Sequence, residues 1–486
     1  MIQTAPSRQD ARSTRRSPGR LTVLGLPALV ALALGLWGTG GPSLWTDELV
    51  TVDVAGRSLG QIRHLLAHVD AVHGFYYVVM HGVGEVVGFG PVAMRLPSVL
   101  ATVVAAALVA GLGRALAGGV TGLLAGPAYA LTPVVSQYAL EARSYALVAA
   151  VAVAATWALV RAVRSGAPGW FAWYGLAIVA LGALHVFALL LLAAHLVTVL
   201  LQRRHLIRWT VTVGAALLVL SPLIGVAVTQ RSAVAWIPEL DAARLWSSAQ
   251  GLTGGTVSVL LAGAVAAWGL RCRRGELVAV ALPWAVLPPV LLAAVSLVEP
   301  MFVGRYLLVC VPAVALLVAA GLASPPRAMG VGAGVALLAL TLAVQPGLRR
   351  ADSKWHDVTP AVAALEQHAR DGDGFLVFPA GMRALAGAYP QAFTGLRDLA
   401  LRADGARTGT LHGREVGQAA LAARLPATDR VWVIRRFNGN AQVRELAQQR
   451  IRLLRAAGLT SVQGRWPGKR MRLTLMVRPS PGAVRG

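Results

Sequence analysis

The sequence predicts a mainly α polytopic membrane protein of about 11 transmembrane helices, followed by a C-terminal extracytoplasmic α/β domain. Three observations carry this. Of 486 residues, 56% are apolar and only 14% are charged, where a soluble chain is about a quarter charged. Apolar runs close to bilayer length recur as far as residue 345. Beyond residue 347 the pattern turns polar and mixed. This composition excludes a disordered chain, a collagen-like chain and an ordinary soluble enzyme. Two cysteines, Cys272 and Cys310, are too few for a disulfide framework.

Residues 1–20 are a basic tail with Arg8, Arg12, Arg15, Arg16 and Arg20, and an apolar run follows to Trp37. A signal peptide has this layout. No A-x-A site follows, however, and the chain stays hydrophobic, so a retained first helix is expected. Spans are expected near 21–39, 96–113, 119–135, 145–161, 170–184, 186–201, 209–229, 255–270, 277–297, 306–323 and 329–345, within a membrane domain of 21–346. Lys and Arg favour the cytoplasmic side. With these spans the clusters at 8–20, Arg114, Arg161/Arg164, Arg203/Arg204/Arg208, Arg271/Arg273/Arg274 and Arg327 all fall on one side. The expected topology is therefore N-terminus cytoplasmic and C-terminus outside.

Residues 74–89 are apolar but contain His81, Glu85 and three interior glycines. A crossing here would move every later Arg cluster outside, and intramembrane ionisable groups cost about 2.5–3.5 kcal/mol each. The segment is expected to lie on the outer surface as an amphipathic helix, making 40–95 the first outer loop. The segment 347–486 carries 23 Lys/Arg against 10 Asp/Glu, a net of +13. Strands are expected at 375–378, 430–434 and 473–477, helices at 358–370 and 441–457, and a turn at 371–374.

Polar clusters from distant parts of the chain converge on the expected outer face. The first is Trp45-Thr46-Asp47-Glu48. The two acids suit the first turn of a helix capped by Thr46, or a general base at the membrane surface. His73, Tyr76 and Tyr77 follow in the same loop, where the aromatics suit surface anchoring or substrate contact and His73 suits a substrate or a metal. Glu141, Arg143 and Tyr145 lie between two spans, as a local ion pair or part of a polar site. His185 divides an apolar stretch at its outer turn, and Arg305-Tyr306 opens a later span. An arginine there suits phosphate, of a lipid headgroup or of a substrate. No Walker A loop, dinucleotide-binding glycine fingerprint, zinc spacing or HExxH motif is present.

At these residues, together with Arg95-Leu-Pro-Ser98, the chain resembles the GT-C superfamily of polytopic glycosyltransferases. It is closest to bacterial protein O-mannosyltransferases and lipid A aminoarabinose transferases. The resemblance spans about 20–325. Relatives often have two prolines where this chain has Gly74 and Phe75. The resemblance implies a bacterial plasma-membrane enzyme that moves a sugar, mannose by family, from a polyprenyl-phosphate donor to an acceptor hydroxyl outside, with inversion. It implies a catalytic pair, with Asp47 as general base and Glu48 supporting it or the acceptor. Arg95, Arg143 and Arg305 would stabilise the leaving phosphate, and Glu141 would orient an arginine or bind sugar or metal. His73, Tyr76, Tyr77, Tyr145, His185 and Tyr306 complete the expected substrate-binding set. A divalent metal is compatible with the sequence but not required by it. The expected partners are the lipid-linked donor, membrane lipids and a glycan, lipid or protein acceptor, with no nucleic acid. The alternative is a transporter or flippase of lipid-linked sugars, which would need charges along a path through the bilayer.

Overall fold

The computed structural model describes residues 18–231, 236–273, 275–437 and 440–479. Arg8, Arg12, Arg15, Arg16 and Arg274 lie outside the described residues.

Each expected span coincides with an apolar helix, but the helices are unequal. Among the described residues, six are long and apolar enough to cross a membrane: Pro91–Ala117, Tyr145–Ser165, Leu206–Thr229, Glu276–Ser296, Gly304–Leu322 and the helix opening at Arg327. A seventh candidate is the pair Ala242–Thr253 and Thr256–Cys272, bent by 80°. Four more, Arg20–Leu36, Gly119–Leu131, Pro168–Leu184 and Val186–Gln202, are shorter. Of the roughly eleven expected spans, six or seven among the described residues are thus long and apolar enough to cross, and four are shorter apolar helices. The shortening has local causes. Pro133 opens a separate helix, Pro133–Ala139, as proline favours the first helical position. His185 is extended, with φ −166°, and ends the helix before it.

The arginine clusters meet at one end of the bundle. Arg164 pairs with Glu276 and donates to the Ala115 carbonyl at 2.9 Å. Arg208 donates to the Gly166 carbonyl at 2.5 Å, and Arg273 to that of Ala323 at 3.2 Å.

The first loop folds at the other end. It contains helices Thr46–Ala55, Leu59–Leu66 and Gly74–Val87, with a 3-10 turn at Ala71–His73. Gly74–Val87 has 14 residues, about 21 Å at 1.5 Å per residue and short of the ~30 Å hydrocarbon core. Leu49, Val50, Val52, Val54 and Ala55 are all buried, because Thr46–Ala55 is packed on several sides. Helix Ala384–Ala388, from the C-terminal region, approaches it so closely that a Cβ on Gly387 would lie 2.2 Å from Asp53 Oδ1. Arg57 donates to the Thr410 and Leu411 carbonyls at 3.0 and 3.1 Å. The Val358 amide donates to Ser43 Oγ at 2.9 Å. The loop is thereby clamped between the membrane helices and the C-terminal region.

Among its described residues the C-terminal region contains seven strands: β1 (Gly374–Phe378), β2 (Arg397–Asp398), β3 (Leu401–Ala403), β4 (Arg414–Glu415), β5 (Arg430–Arg436), β6 (Ser461–Gly468) and β7 (Met471–Val477). Five form one sheet in the order β2-β1-β5-β7-β6. β1 is parallel to β2 and β5, whereas β7 is antiparallel to β5 and β6. Helices Thr359–His368 and Ala441–Ala456 lie near their expected positions. β6 was not expected, because Gly464 and Pro467 interrupt it. Proline is tolerated on an edge strand such as this.

Candidate functional site

The site begins with the two acids of Thr46–Ala55, which point to different environments. Glu48 is 0% exposed, as is Arg95. Arg95 Nε donates to Glu48 Oε1 at 2.9 Å and Nη2 to Oε2 at 3.1 Å. The remaining donors of Arg95 meet the carbonyls of Thr39, Pro42 and Ser43. Glu48 Oε1 also accepts from the Ala142 amide at 2.9 Å. Burial alone would raise the Glu48 pKa, but the Arg95 guanidinium and Lys354 overcome this and hold it below the usual carboxylate range. Two expectations are therefore corrected. Arg95 has no donor left for a phosphate, and Glu48 is a structural anchor holding the 95 and 142 segments together.

Asp47 is partly exposed, and Arg305 Nη2 lies 3.9 Å from its Oδ2. Thr46 is not the helix cap, a position taken by Trp45. Its hydroxyl instead accepts from Arg436 Nη1 at 2.5 Å. Asp47 acts electrostatically on His73, Arg143, Arg305, His356 and Arg436, which come from five separate segments.

Arg143 is buried and donates from Nη2 to His73 Nε2 at 3.2 Å and from Nη1 to Thr51 Oγ1 at 3.4 Å. Burial pushes the His73 pKa down to about 4, Asp70 opposes this and Arg143 reinforces it. The imidazole is thus neutral and accepts at Nε2. Asp70 adopts the left-handed region, φ 64°, which Asp tolerates better than most residues. It accepts a hydrogen bond from the Tyr77 hydroxyl. Tyr76 is fully buried, and its hydroxyl has no hydrogen-bond partner among the described residues.

Arg305 stands among aromatic rings, 5.5 to 6.0 Å from the centroids of Trp236, Trp45, Tyr145 and Tyr306. These contacts hold a guanidinium in place through the ring quadrupoles. His185 packs behind them, 4.6 Å from Tyr306 and 5.7 Å from Tyr145.

Beside Asp47 is a polar cleft of about 240 Å³, lined by Trp45, Gln137, Tyr138, Glu141, Arg305, Ser353, Lys354, Trp355, Lys469 and Arg470. Glu141 Oε1 accepts from Lys354 Nζ at 2.6 Å and from Gln137 at 3.3 Å. Four buried atoms of lining residues have no hydrogen-bond partner among the described residues: Trp45 Nε1, Glu141 Oε2, Arg305 Nε and Ser353 Oγ. Buried polar groups are nearly always paired, so their concentration here marks a place built to meet a ligand. Among the described residues no three His, Cys, Asp or Glu come together as a metal-ligand cluster.

An apolar groove of about 460 Å³ is lined by residues of helices 119–131, 242–253, 256–272, 311–322 and 327–344. Two elements lead from groove to cleft. Pro133 lines the groove and Gln137 the cleft, about 6 Å apart along one helix. Val311 lines the groove and Arg305 the cleft, at the two ends of the stretch containing the 3-10 segment Gly304–Cys310.

The structure thus brings Asp47, His73, Arg143, Tyr145, Arg305 and Tyr306 together, with Glu141 in the adjoining cleft. Sequence reasoning missed the contribution of the C-terminal region: Lys354, Trp355, His356, Arg436, Lys469 and Arg470. The only sequence signal was the net charge of +13.

Residues 75–228 match the family model described as dolichyl-phosphate-mannose-protein mannosyltransferase. No curated protein matches the chain. Among solved structures, the chain is similar to ArnT from Cupriavidus metallidurans in the apo state. The identity is 14% and the TM-score 0.62, over 93% of this chain and 97% of that one. For the same protein bound to undecaprenyl phosphate the identity is 14% and the TM-score 0.57, over 94% and 98%. The chain has the fold of ArnT and, over residues 75–228, the sequence pattern of the mannosyltransferase family, so its resemblance to the GT-C polytopic glycosyltransferases holds in both sequence and fold.

Proposed function

We propose that this protein is a membrane glycosyltransferase that moves a sugar from a polyprenyl-phosphate donor to an acceptor hydroxyl, with inversion. Mannose is the donor sugar favoured by the family match over residues 75–228. One observation carries the reading. A cation-lined cleft beside Asp47 and an apolar groove draw lining residues from the same two elements, Pro133–Ala139 and the stretch 305–311, the pairing of polarities that a phosphate on a long hydrocarbon chain requires. ArnT, whose fold this chain shares, has been solved with undecaprenyl phosphate bound.

In this reading the groove takes the isoprenoid chain, while Arg305 meets the phosphate. Asp47 accepts the proton of the acceptor hydroxyl as its oxygen attacks the anomeric carbon. The anomeric carbon–oxygen bond breaks, and its electrons leave with the polyprenyl phosphate, whose growing charge Arg305 and Arg143 stabilise. His73 orients Arg143. Glu141 Oε2, without a hydrogen-bond partner in the protein, serves to accept from a sugar hydroxyl. The reaction takes place on the outer face of a bacterial plasma membrane, with the C-terminal region outside and the N-terminus cytoplasmic. A flippase fits less well. The buried charges among the described residues gather around the site or in the C-terminal region, leaving no charged path through the helices.

The test is reconstitution of the purified protein with undecaprenyl-phosphate mannose and a panel of hydroxyl acceptors. Formation of glycosylated product together with free undecaprenyl phosphate supports the reading. Movement of the intact donor across vesicles without turnover would favour the flippase.

A further inference from the structure

We infer that the turn between β6 and β7 is a second arm of the anion site, so that the C-terminal region helps hold the phosphate of the lipid-linked substrate. The inference rests on the donor reading above and assigns it residues far outside the matched segment 75–228.

The two-residue turn is Lys469-Arg470, closing a hairpin paired from Gly468 and Met471 onward. Such turns favour Asn-Gly and similar pairs. Here the second residue is an arginine with φ 53°, an uncommon conformation for a bulky side chain. Both residues line the polar cleft, as does Arg305 of the membrane helices. Neither has a carboxylate partner among the described residues. Lys469 Nζ donates to the Asp352 carbonyl at 2.7 Å, and the Arg470 guanidinium lies 5.2 Å from the Trp355 ring centroid.

The turn is held in place by its backbone. The Asp357 amide donates to the Lys469 carbonyl at 3.2 Å, and the Phe437 amide to that of Arg470 at 2.8 Å. Gly468 lies so close to the neighbouring segment that a Cβ would sit 2.3 Å from the Asp357 carbonyl oxygen. A fixed turn therefore presents two cations, without acidic partners among the described residues, to a cleft that Arg305 also lines. Lys354, also in the lining, is already neutralised by Glu141. This arrangement fits a phosphate ester gripped from two sides.

The test is binding of undecaprenyl phosphate to the full chain in detergent, measured by microscale thermophoresis. The double variant Lys469→Gln/Arg470→Gln is expected to weaken binding about tenfold, and each single variant by less, in line with loss of charge-assisted contacts. In turnover, the KM for the lipid-linked donor should rise with kcat nearly unchanged. Arg472→Gln, whose guanidinium lies over Phe437, should bind as the parent does. The single variants decide the matter if the double variant fails to fold. Undiminished binding by folded variants, with the parent binding normally, would overturn this inference alone. Failure of the parent to bind undecaprenyl phosphate would overturn both this inference and the donor reading. Inorganic phosphate binding as tightly as the lipid would overturn the lipid-linked assignment.

Discussion

Around Arg95 and around Arg305, two adjacent acids meet two arginines and end in opposite states. Glu48 and Arg95 are both sealed from solvent, with all five guanidinium donors met by protein acceptors. Asp47 and Arg305 are 3.9 Å apart at the edge of a cleft, and Arg305 Nε has no hydrogen-bond partner among the described residues. A closed pair holds segments together. An open pair, steadied by aromatic rings rather than by its acid, has capacity left for a substrate. The residue types are alike, so environment alone separates scaffold from chemistry.

That contrast can be broken experimentally. The largest effect is expected from the closed pair. Glu48→Gln leaves Arg95 buried without its counter-charge, and losing one partner of such a pair costs about 3–5 kcal/mol. A thermal melt of the purified variant should fall sharply or the protein should fail to accumulate, whereas Asp47→Asn should melt close to the parent. Next comes Arg305→Gln, expected to fold normally and to lower kcat/KM about a hundredfold, as loss of one preorganised charge-stabilising donor does. Smaller again is Ala262→Phe, which fills the apolar groove. It should raise KM about tenfold for a long-chain donor and leave a short-chain analogue unaffected, since each buried methylene is worth about 0.8 kcal/mol.

The mildest effect concerns acid. Burial lowers the pKa of His73, His356 and His412 to about 4 in each case, below the ordinary 6.5. The unfolded chain therefore binds more protons between these values, and stability must fall as pH drops from about 6.5 towards 4. Above about 6.5 their contribution is constant. Melting temperature measured across this range should decline on acidification, and His356→Gln should make the decline shallower.

The sequence made much of this legible. The apolar runs marked each membrane helix, because burial in lipid imposes a composition that few other environments do. Asp47 stood out because two acids followed a tryptophan at the end of the first apolar run. The closed pair did not stand out, since nothing in the spacing of Glu48 and Arg95 says which acid the arginine chooses. That choice depends on how Thr46–Ala55 packs against the start of Pro91–Ala117. The C-terminal side of the site was hidden for the same reason. Lys354, Arg436, Lys469 and Arg470 looked like part of a diffuse surplus of +13. The sheet and its turns gather them beside Asp47 and the cleft.

Asp47 as the acceptor's general base is most directly tested by the rate of sugar transfer from a polyprenyl-phosphate donor in Asp47→Asn, with parent and Glu48→Gln measured alongside. The expected result is a folded Asp47→Asn protein whose transfer rate is reduced by about 10²–10⁴, the usual contribution of a positioned base. Transfer at the parent rate by that folded variant would contradict it.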